Sequence, residues 1–179
     1  MARIYIGVGC NSTPEQNIAS GLFALMQGFG HLTLSPTYVT QPVGCAGDEF
    51  YNLVVGCDTS DDVYGVVEAL KVIESTHGRQ LGYGNGAPVP LDLDLLTYDS
   101  LRLSSDQVSI PRVDISKYAY VLKPLARIAP HTRHPETGET YQEMWNSFVE
   151  KDGILRDVTY QFEDVYRLNQ ALDPSTALS

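Results

Sequence analysis

The sequence predicts an α+β protein of the ferredoxin-like class, with one antiparallel sheet and helices packed on it. The length of 179 residues suits a single domain that can bury a core. Hydrophobic residues make up 43% of the chain, which argues against disorder in its body. Segments with strand and helix periodicity follow in the order strand, helix, strand, strand, helix, strand, then helices. That order is the split βαβ pattern, which places helices on one face of the sheet.

The first strand and the first helix have clear signals. Residues 3–9 alternate in polarity and predict a buried strand. Thr13 and Pro14 suit the cap and first turn of a helix, and Gly30 suits its end. An apolar face at helical spacing connects them: Ile18, Leu22, Leu25 and Phe29.

The next predicted elements are two strands and a helix. Residues 31–40 and 50–57 predict strands, and the Gly- and Pro-containing segment between them predicts a loop. Ser60-Asp61-Asp62 can start the second helix, and the helix dipole favours the negative charge of Asp61 and Asp62 there. The apolar face of this helix is Val63, Val67, Leu70 and Ile73.

The second half starts with a segment in which regular structure is not expected. Residues 78–90 contain three glycines and two prolines after Gly78, which predicts a long mobile loop. The elements predicted after it are a strand over 91–97, an extended piece over 109–113, a helix over 118–128 and a helix over 140–149. We assign residues 1–151 to the domain and residues 152–179 to a polar C-terminal tail of unknown role.

Charge and composition narrow the functional classes. The net charge is −10, and Lys and Arg are absent between Ile4 and Leu70, so a basic patch for nucleic acid is not predicted. No apolar run is long enough to span a bilayer. The N-terminal segment lacks the pattern of a signal peptide, so we expect a cytoplasmic protein. We also expect a monomer. The three cysteines match no metal or redox spacing and predict free thiols.

The segment Leu91-Asp92-Leu93-Asp94-Leu95-Leu96 is the sharpest local feature. Alternate residues of a strand share a face, so Asp92 and Asp94 point the same way with Cα atoms about 6.6–6.8 Å apart. Two carboxylates at that spacing suit magnesium. The alternative is an amphipathic strand with a solvated acidic face.

Flanking segments carry a loop and a few cations. The Gly/Pro-rich loop runs directly into the acidic strand, which suits either a lid over a phosphate donor or a plain connector. Arg79, Lys71 and Arg112 can bind phosphate groups, or they can be ordinary surface cations.

Pieces of the chain, taken in order from about residue 3 to residue 145, resemble the hydroxymethyl-dihydropterin pyrophosphokinase family. The pieces are Ile6-Gly7-Val8-Gly9-Cys10-Asn11, Ser35-Pro36-Thr37-Tyr38, Thr40-Gln41-Pro42-Val43-Gly44, Phe50-Tyr51-Asn52-Leu53-Val54-Val55, Ile73-Glu74, Gly78-Arg79, Leu91-Asp92-Leu93-Asp94-Leu95-Leu96, Ile110-Pro111-Arg112, Tyr120-Val121-Leu122-Lys123-Pro124-Leu125 and Ile128-Ala129-Pro130.

The resemblance implies roles for individual residues. The catalytic residues would be Asp92, Asp94, Arg79 and Arg112, with both aspartates holding two magnesium ions. The pterin would contact Thr40, Gln41, Val43, Phe50, Asn52 and Tyr120. ATP, the co-substrate, would contact Lys71, Glu74, Arg79, Leu95 and Arg112. The implied reaction transfers pyrophosphate from ATP to the hydroxymethyl group of 6-hydroxymethyl-7,8-dihydropterin and releases AMP, a step of folate biosynthesis.

The chain departs from the family pattern beside the acidic strand. Val89-Pro90 stands where the family usually has Arg-Thr, and the loop from Gln80 to Pro88 contains no cation. Arg112 and Tyr118 stand where a His and an Arg are usual. These changes leave open a pterin- or nucleotide-binding paralogue with little transfer activity. A third alternative is an unrelated ferredoxin-like interaction module.

Overall fold

The computed structural model describes residues 1–40, 49–78, 88–149, 155–173 and 175. The strands are β1 Ala2–Cys10, β2 Thr33–Leu34, β3 Tyr38–Thr40, β4 Phe50–Thr59, β5 Asp92–Tyr98, β6 Leu103–Ser104, β7 Ser109–Ile110 and β8 Arg156–Asp157. The helices are α1 Pro14–Phe29, α2 Val63–Thr76, α3 Asp114–Lys117, α4 Ala119–Ile128, α5 Tyr141–Ser147 and α6 Glu163–Ala171, with a 3₁₀ helix over Thr159–Phe162.

The main sheet has the order β5-β1-β4-β3-β8, and every pair along it is antiparallel. β1 is an interior strand of the sheet, because β4 pairs with one of its edges and β5 with the other. The predicted α+β, ferredoxin-like class is confirmed, since β5, β1, β4 and β3 lie side by side in the order of a split βαβ sheet.

Helices cover both faces of this sheet, so the expectation of one covered face was wrong. Even-numbered residues of β1, such as Ile6 and Val8, are buried with α1 and α2 in one apolar cluster. Tyr5 and Val54 point the other way and are buried with Leu122 of α4. Alternation along a strand sends successive side chains to opposite faces, and both faces here carry apolar residues.

The first helix ends at Gly30 as predicted, but the chemistry of its start differs from the prediction. The helix begins at Pro14 as expected, but Thr13 has φ 41° and makes no side-chain cap. Its hydroxyl instead accepts a hydrogen bond from the Asn17 side chain at 2.9 Å. At the second helix Asp62 is a true cap, because its carboxylate accepts from the Gly65 N–H at 2.8 Å.

The predicted strand over 31–40 is two short strands, β2 and β3, with Ser35 to Thr37 between them. The Ser35 hydroxyl accepts from the Val54 N–H at 2.9 Å, a ladder donor that a continuous strand would have used. β7 lies within the extended piece predicted over 109–113, whereas its pairing with β6 and the short helix α3 were not predicted.

The predicted C-terminal tail contains regular structure. β8 pairs with β3, and Val158, Phe162 and Val165 are buried in the same cluster as α1. The boundary between residues 151 and 152 stays a prediction. In the described part of the chain, no helix is long and apolar enough to cross a membrane.

Candidate active site

A cavity of about 610 Å³ opens on the sheet face that α4 covers only in part. β1, β4 and β5 form its floor, and the segment from Arg112 through the start of α4 forms one wall. Seven residues implied by the resemblance line it: Thr40, Phe50, Asn52, Asp92, Asp94, Arg112 and Tyr120. The fold therefore gathers residues that lie up to 80 positions apart in the sequence.

Two glycines of β1, Gly7 and Gly9, lie in the floor of this cavity. The strand register places Gly9 between Asn52 on β4 and Asp92 on β5. A Cβ built on Gly9 would lie 3.6 Å from the Asn52 amide oxygen and 3.7 Å from the Asp92 Cβ. A side chain at Gly9 would therefore occupy the space between these two residues. Gly7, the other floor glycine, pairs with Asp94 in the same way.

The pattern of glycines in β1 is a signal in the sequence for this open floor. Gly7 and Gly9 alternate in a strand whose other face is apolar, so one face of β1 lacks side chains along this stretch. Glycine inside a strand often marks a close approach of backbone or ligand.

Arg112 links the acidic strand to the opposite wall. One of its terminal nitrogens lies 3.2 Å from an Asp94 oxygen, and its Nε donates to Asp114 at 2.8 Å. Its backbone N–H donates to the Leu96 carbonyl at 2.9 Å, which ties this segment to the end of β5. Burial lowers the pKa of the Arg112 guanidinium, but Asp94, Asp114 and Asp92 outweigh that effect and raise the pKa overall. The side chain therefore carries a fixed positive charge beside the two aspartates.

Asn52 holds a defined orientation at the other end of the cavity. Its amide nitrogen donates to the Thr40 hydroxyl and to the Phe50 carbonyl, each at 3.3 Å. The amide oxygen is consequently turned toward the space above Gly9. The residue is only 8% exposed, so this amide is held by its surroundings.

Two tyrosines form an aromatic wall. Tyr118 and Tyr120 stack with ring centroids 5.0 Å apart and an interplanar angle of 17°. Both line the cavity, whereas the resemblance implied only Tyr120. Asp114, another lining residue absent from the sequence-based set, holds Arg112 in place.

Three residues implied to contact ATP lie outside the lining of this cavity. Glu74, in the last turn of α2, accepts a hydrogen bond from the Leu93 N–H at 2.8 Å and so covers the edge of β5. Leu95 is 4% exposed and its side chain belongs to the core on the other face. Lys71 is exposed on α2. Gln41, Val43 and Arg79 lie outside the described residues.

The end of the Gly/Pro-rich segment is attached to β1 through Asn11. The Asn11 side chain accepts from the Val89 N–H at 2.6 Å, and the Asn11 N–H donates to the Val89 carbonyl at 3.0 Å. Residues 79–87 of the predicted loop lie outside the described residues. Position 89, where the family pattern usually has Arg, is thus held through its backbone, next to the acidic strand.

The carboxylates of Asp92 and Asp94 fit a hard divalent cation that also binds water and substrate phosphates. No group of three His, Cys, Asp or Glu side chains suited to a metal occurs among the described residues. Asp92 and Asp94 share one face of β5 and line the cavity together. Magnesium commonly takes one or two carboxylates and completes its shell with water and substrate phosphates. The pair therefore fits magnesium bound together with a phosphate ligand.

Comparisons with known proteins agree on one family. A family model described as 7,8-dihydro-6-hydroxymethylpterin-pyrophosphokinase (HPPK) matches residues 5–130. The 2-amino-4-hydroxy-6-hydroxymethyldihydropteridine pyrophosphokinase of Pseudomonas aeruginosa is 32% identical over 140 residues, which is 75% of this chain and 85% of that protein. The protein of the same name from Bacillus subtilis is 28% identical, over 84% of this chain and 92% of its own length.

Solved structures support the same fold. The crystal structure of a Plasmodium falciparum HPPK-DHPS triple mutant superposes with a TM-score of 0.64 over 83% of this chain. The sequence identity is 14%, so this likeness concerns the fold alone. The chain covers 43% of that longer protein.

Proposed function

The chain belongs to the 7,8-dihydro-6-hydroxymethylpterin-pyrophosphokinase family, and we propose that the cavity over Gly7 and Gly9 is where it brings its two substrates together. The protein is an ATP-dependent pyrophosphokinase of folate biosynthesis. It transfers pyrophosphate from ATP to the hydroxymethyl group of 6-hydroxymethyl-7,8-dihydropterin and releases AMP. One observation carries the assignment of the site: adjacent strands align Asn52, Gly9 and Asp92 in one row across the cavity floor.

The pterin side of the cavity comprises Thr40, Phe50, Asn52 and Tyr120. The Asn52 amide oxygen faces the cavity because the amide nitrogen is used by Thr40 and Phe50. It would accept a hydrogen bond from an N–H group of the pterin ring. Phe50 and Tyr120 would contact the faces of the flat ring, which aromatic side chains suit. Gln41 and Val43 remain part of this proposal from the sequence.

The nucleotide side comprises Asp92, Asp94 and Arg112. Asp92 and Asp94 would hold the two magnesium ions, which supply positive charge to the ATP phosphates when bound. Arg112 adds a fixed cation on the wall opposite the floor. Lys71, Glu74, Arg79 and Leu95 are further proposed ATP contacts, and for the buried Leu95 the contact would come from its backbone.

The reaction needs an in-line arrangement of the two substrates. The 6-hydroxymethyl oxygen attacks the β-phosphorus of ATP and its proton passes to solvent. The bond from that phosphorus to the oxygen that bridges it to the α-phosphorus breaks, and AMP leaves with this oxygen. No side chain needs to form a covalent intermediate. The contribution of this chain is to hold the attacking oxygen near the phosphorus and to stabilise the developing negative charge.

The test is AMP release from the purified protein with ATP, magnesium and 6-hydroxymethyl-7,8-dihydropterin. We expect AMP only when pterin and magnesium are both present. No AMP under these conditions, with pterin binding still detectable, would favour the paralogue with little transfer activity. A cytoplasmic location and a monomeric state also belong to this proposal.

A further inference from the structure

We infer that the C-terminal segment over residues 155–173 positions the pterin side of the cavity, with Tyr166 and Arg156 as its positioning residues. The inference rests on the proposed function, because it names the part of the chain that sets the geometry of the pterin side. The segment lies beyond the residues that match the family model, which end at 130.

The C-terminal segment supplies β8, the edge strand of the sheet next to the pterin side of the cavity. β8 pairs with Tyr38 and Val39 of β3, and the Val158 N–H donates to the Thr37 carbonyl at 2.9 Å. β3 has only three residues, and its last residue is Thr40, which lines the cavity. A strand this short is held in place by its neighbours on both sides, so β8 contributes directly to the position of Thr40.

Tyr166 secures the chain directly before β3. Its hydroxyl donates to the Ser35 carbonyl, so the hydrogen bond at 3.1 Å to Thr37 must use the Thr37 hydroxyl as donor. Ser35 and Thr37 are both fully buried. Burial raises the pKa of Tyr166 to about 12, so the hydroxyl stays protonated at neutral pH. Ser35 also accepts a hydrogen bond from Val54 of β4 through its hydroxyl, so Tyr166 holds a residue that connects the chain before β3 to β4.

Two further contacts of the C-terminal segment reach the residues directly before β2 and β4. Asn169 pairs with the backbone of Leu32, accepting from its N–H at 3.0 Å and donating to its carbonyl at 2.7 Å. Arg156 donates to both carboxylate oxygens of Glu49, at 3.1 and 3.2 Å. Glu49 directly precedes Phe50, another cavity residue. The segment thus contacts the chain before β2, before β3 and before β4.

These contacts concern only one side of the cavity. Asp92 and Asp94 lie on β5, at the opposite edge of the sheet from β8. A loosened C-terminal segment should therefore change pterin binding while ATP binding stays as it was. A purely structural role would lower stability and the amount of active enzyme without separating the two substrates.

The experiment compares three full-length variants with the wild-type chain. Tyr166→Phe removes the hydroxyl and keeps the buried ring. Arg156→Ala removes a half-exposed partner of Glu49 and leaves the core intact. Arg167→Ala is the matched control, since Arg167 pairs with Glu163 on the exposed face of α6. The KM for each substrate and kcat are measured by AMP release, and circular dichroism checks the fold.

We expect the KM for 6-hydroxymethyl-7,8-dihydropterin to rise roughly 3–10-fold in Tyr166→Phe, which corresponds to losing one or two buried hydrogen bonds. Arg156→Ala should raise it roughly 2–5-fold, because its ion pair is partly exposed. The KM for ATP should not change, and Arg167→Ala should match the wild type.

An unchanged pterin KM in folded Tyr166→Phe and Arg156→Ala would overturn the inference, as would a parallel rise in both KM values. If Tyr166→Phe fails to fold, the result for Arg156→Ala decides alone. An inactive wild-type chain would instead contradict the proposed function. In that case direct pterin binding by the same variants, followed by fluorescence, tests the inference separately.

Discussion

A terminal guanidinium nitrogen of Arg112 lies 3.2 Å from a carboxylate oxygen of Asp94, so a cation of the cavity wall and one proposed metal ligand are direct partners. Asp114 anchors the same guanidinium from the other side at 2.8 Å. This arrangement keeps a positive charge close to the acidic strand in a chain whose net charge is −10. It also means that Arg112 is already oriented toward the place where phosphate groups are proposed to bind.

Replacing Arg112 tests whether that charge assists transfer. We expect Arg112→Ala to lower kcat/KM for ATP by roughly 10²–10³, the usual cost of one contact to the developing charge. Arg112→Lys should recover only part of the loss, because an ammonium cannot bridge two carboxylates as a planar guanidinium does. Arg102→Ala, at an exposed position, is the control. Wild-type kinetic constants in Arg112→Ala would show that Arg112 does not assist the transfer.

Replacing Gly9 tests the open floor. The added Cβ of Gly9→Ala would meet its neighbours at ordinary contact distance, so the fold should tolerate it. It would still occupy space between Asn52 and Asp92, and we expect the pterin KM to rise roughly tenfold or more, in line with about 1–3 kcal/mol of overpacking. Gly28→Ala, with open space around its Cβ, should leave the kinetics unchanged. Equal kinetic constants in Gly9→Ala and Gly28→Ala would mean that the pterin does not bind over Gly9.

Restoring the cation at position 89 tests the departure from the family pattern. Val89 is held to Asn11 through backbone groups, so Val89→Arg should fold normally. We expect kcat to rise roughly tenfold, since a charge-assisted contact to phosphate is regained. Val72→Arg, on the exposed side of α2, is the control for added charge. No gain at position 89 would show that another residue already supplies this contact.

Much of the fold follows from periodicity. The alternation in residues 3–9 and the apolar faces of the first two helices predicted β1, α1 and α2, and the structure confirms all three. The spacing of Asp92 and Asp94 predicted a shared face, and both line the cavity. These signals come from residues that are close together in the sequence, so they can be recognised without the tertiary structure.

The missed features depend on contacts between distant parts of the chain. The break between β2 and β3 depends on Ser35 bonding to β4, which periodicity does not encode. The C-terminal segment is polar in composition because Tyr166 and Asn169 contact the rest of the chain through hydrogen bonds, beside the apolar packing of the segment. The alternation of Gly7 and Gly9 is present in the sequence, but the residues that flank Gly9 depend on the strand register, which places it between Asn52 and Asp92.

The central claim is that Asp92 and Asp94 act in transfer, and AMP release by Asp92→Ala and Asp94→Ala measures it most directly. We expect each variant to fold, to bind pterin and to lose AMP release by roughly 10³ or more, because the charge that stabilises the transferring group is lost. Asp58→Ala, an exposed carboxylate on β4, should release AMP at the wild-type rate. Wild-type AMP release by either Asp92→Ala or Asp94→Ala would contradict the account.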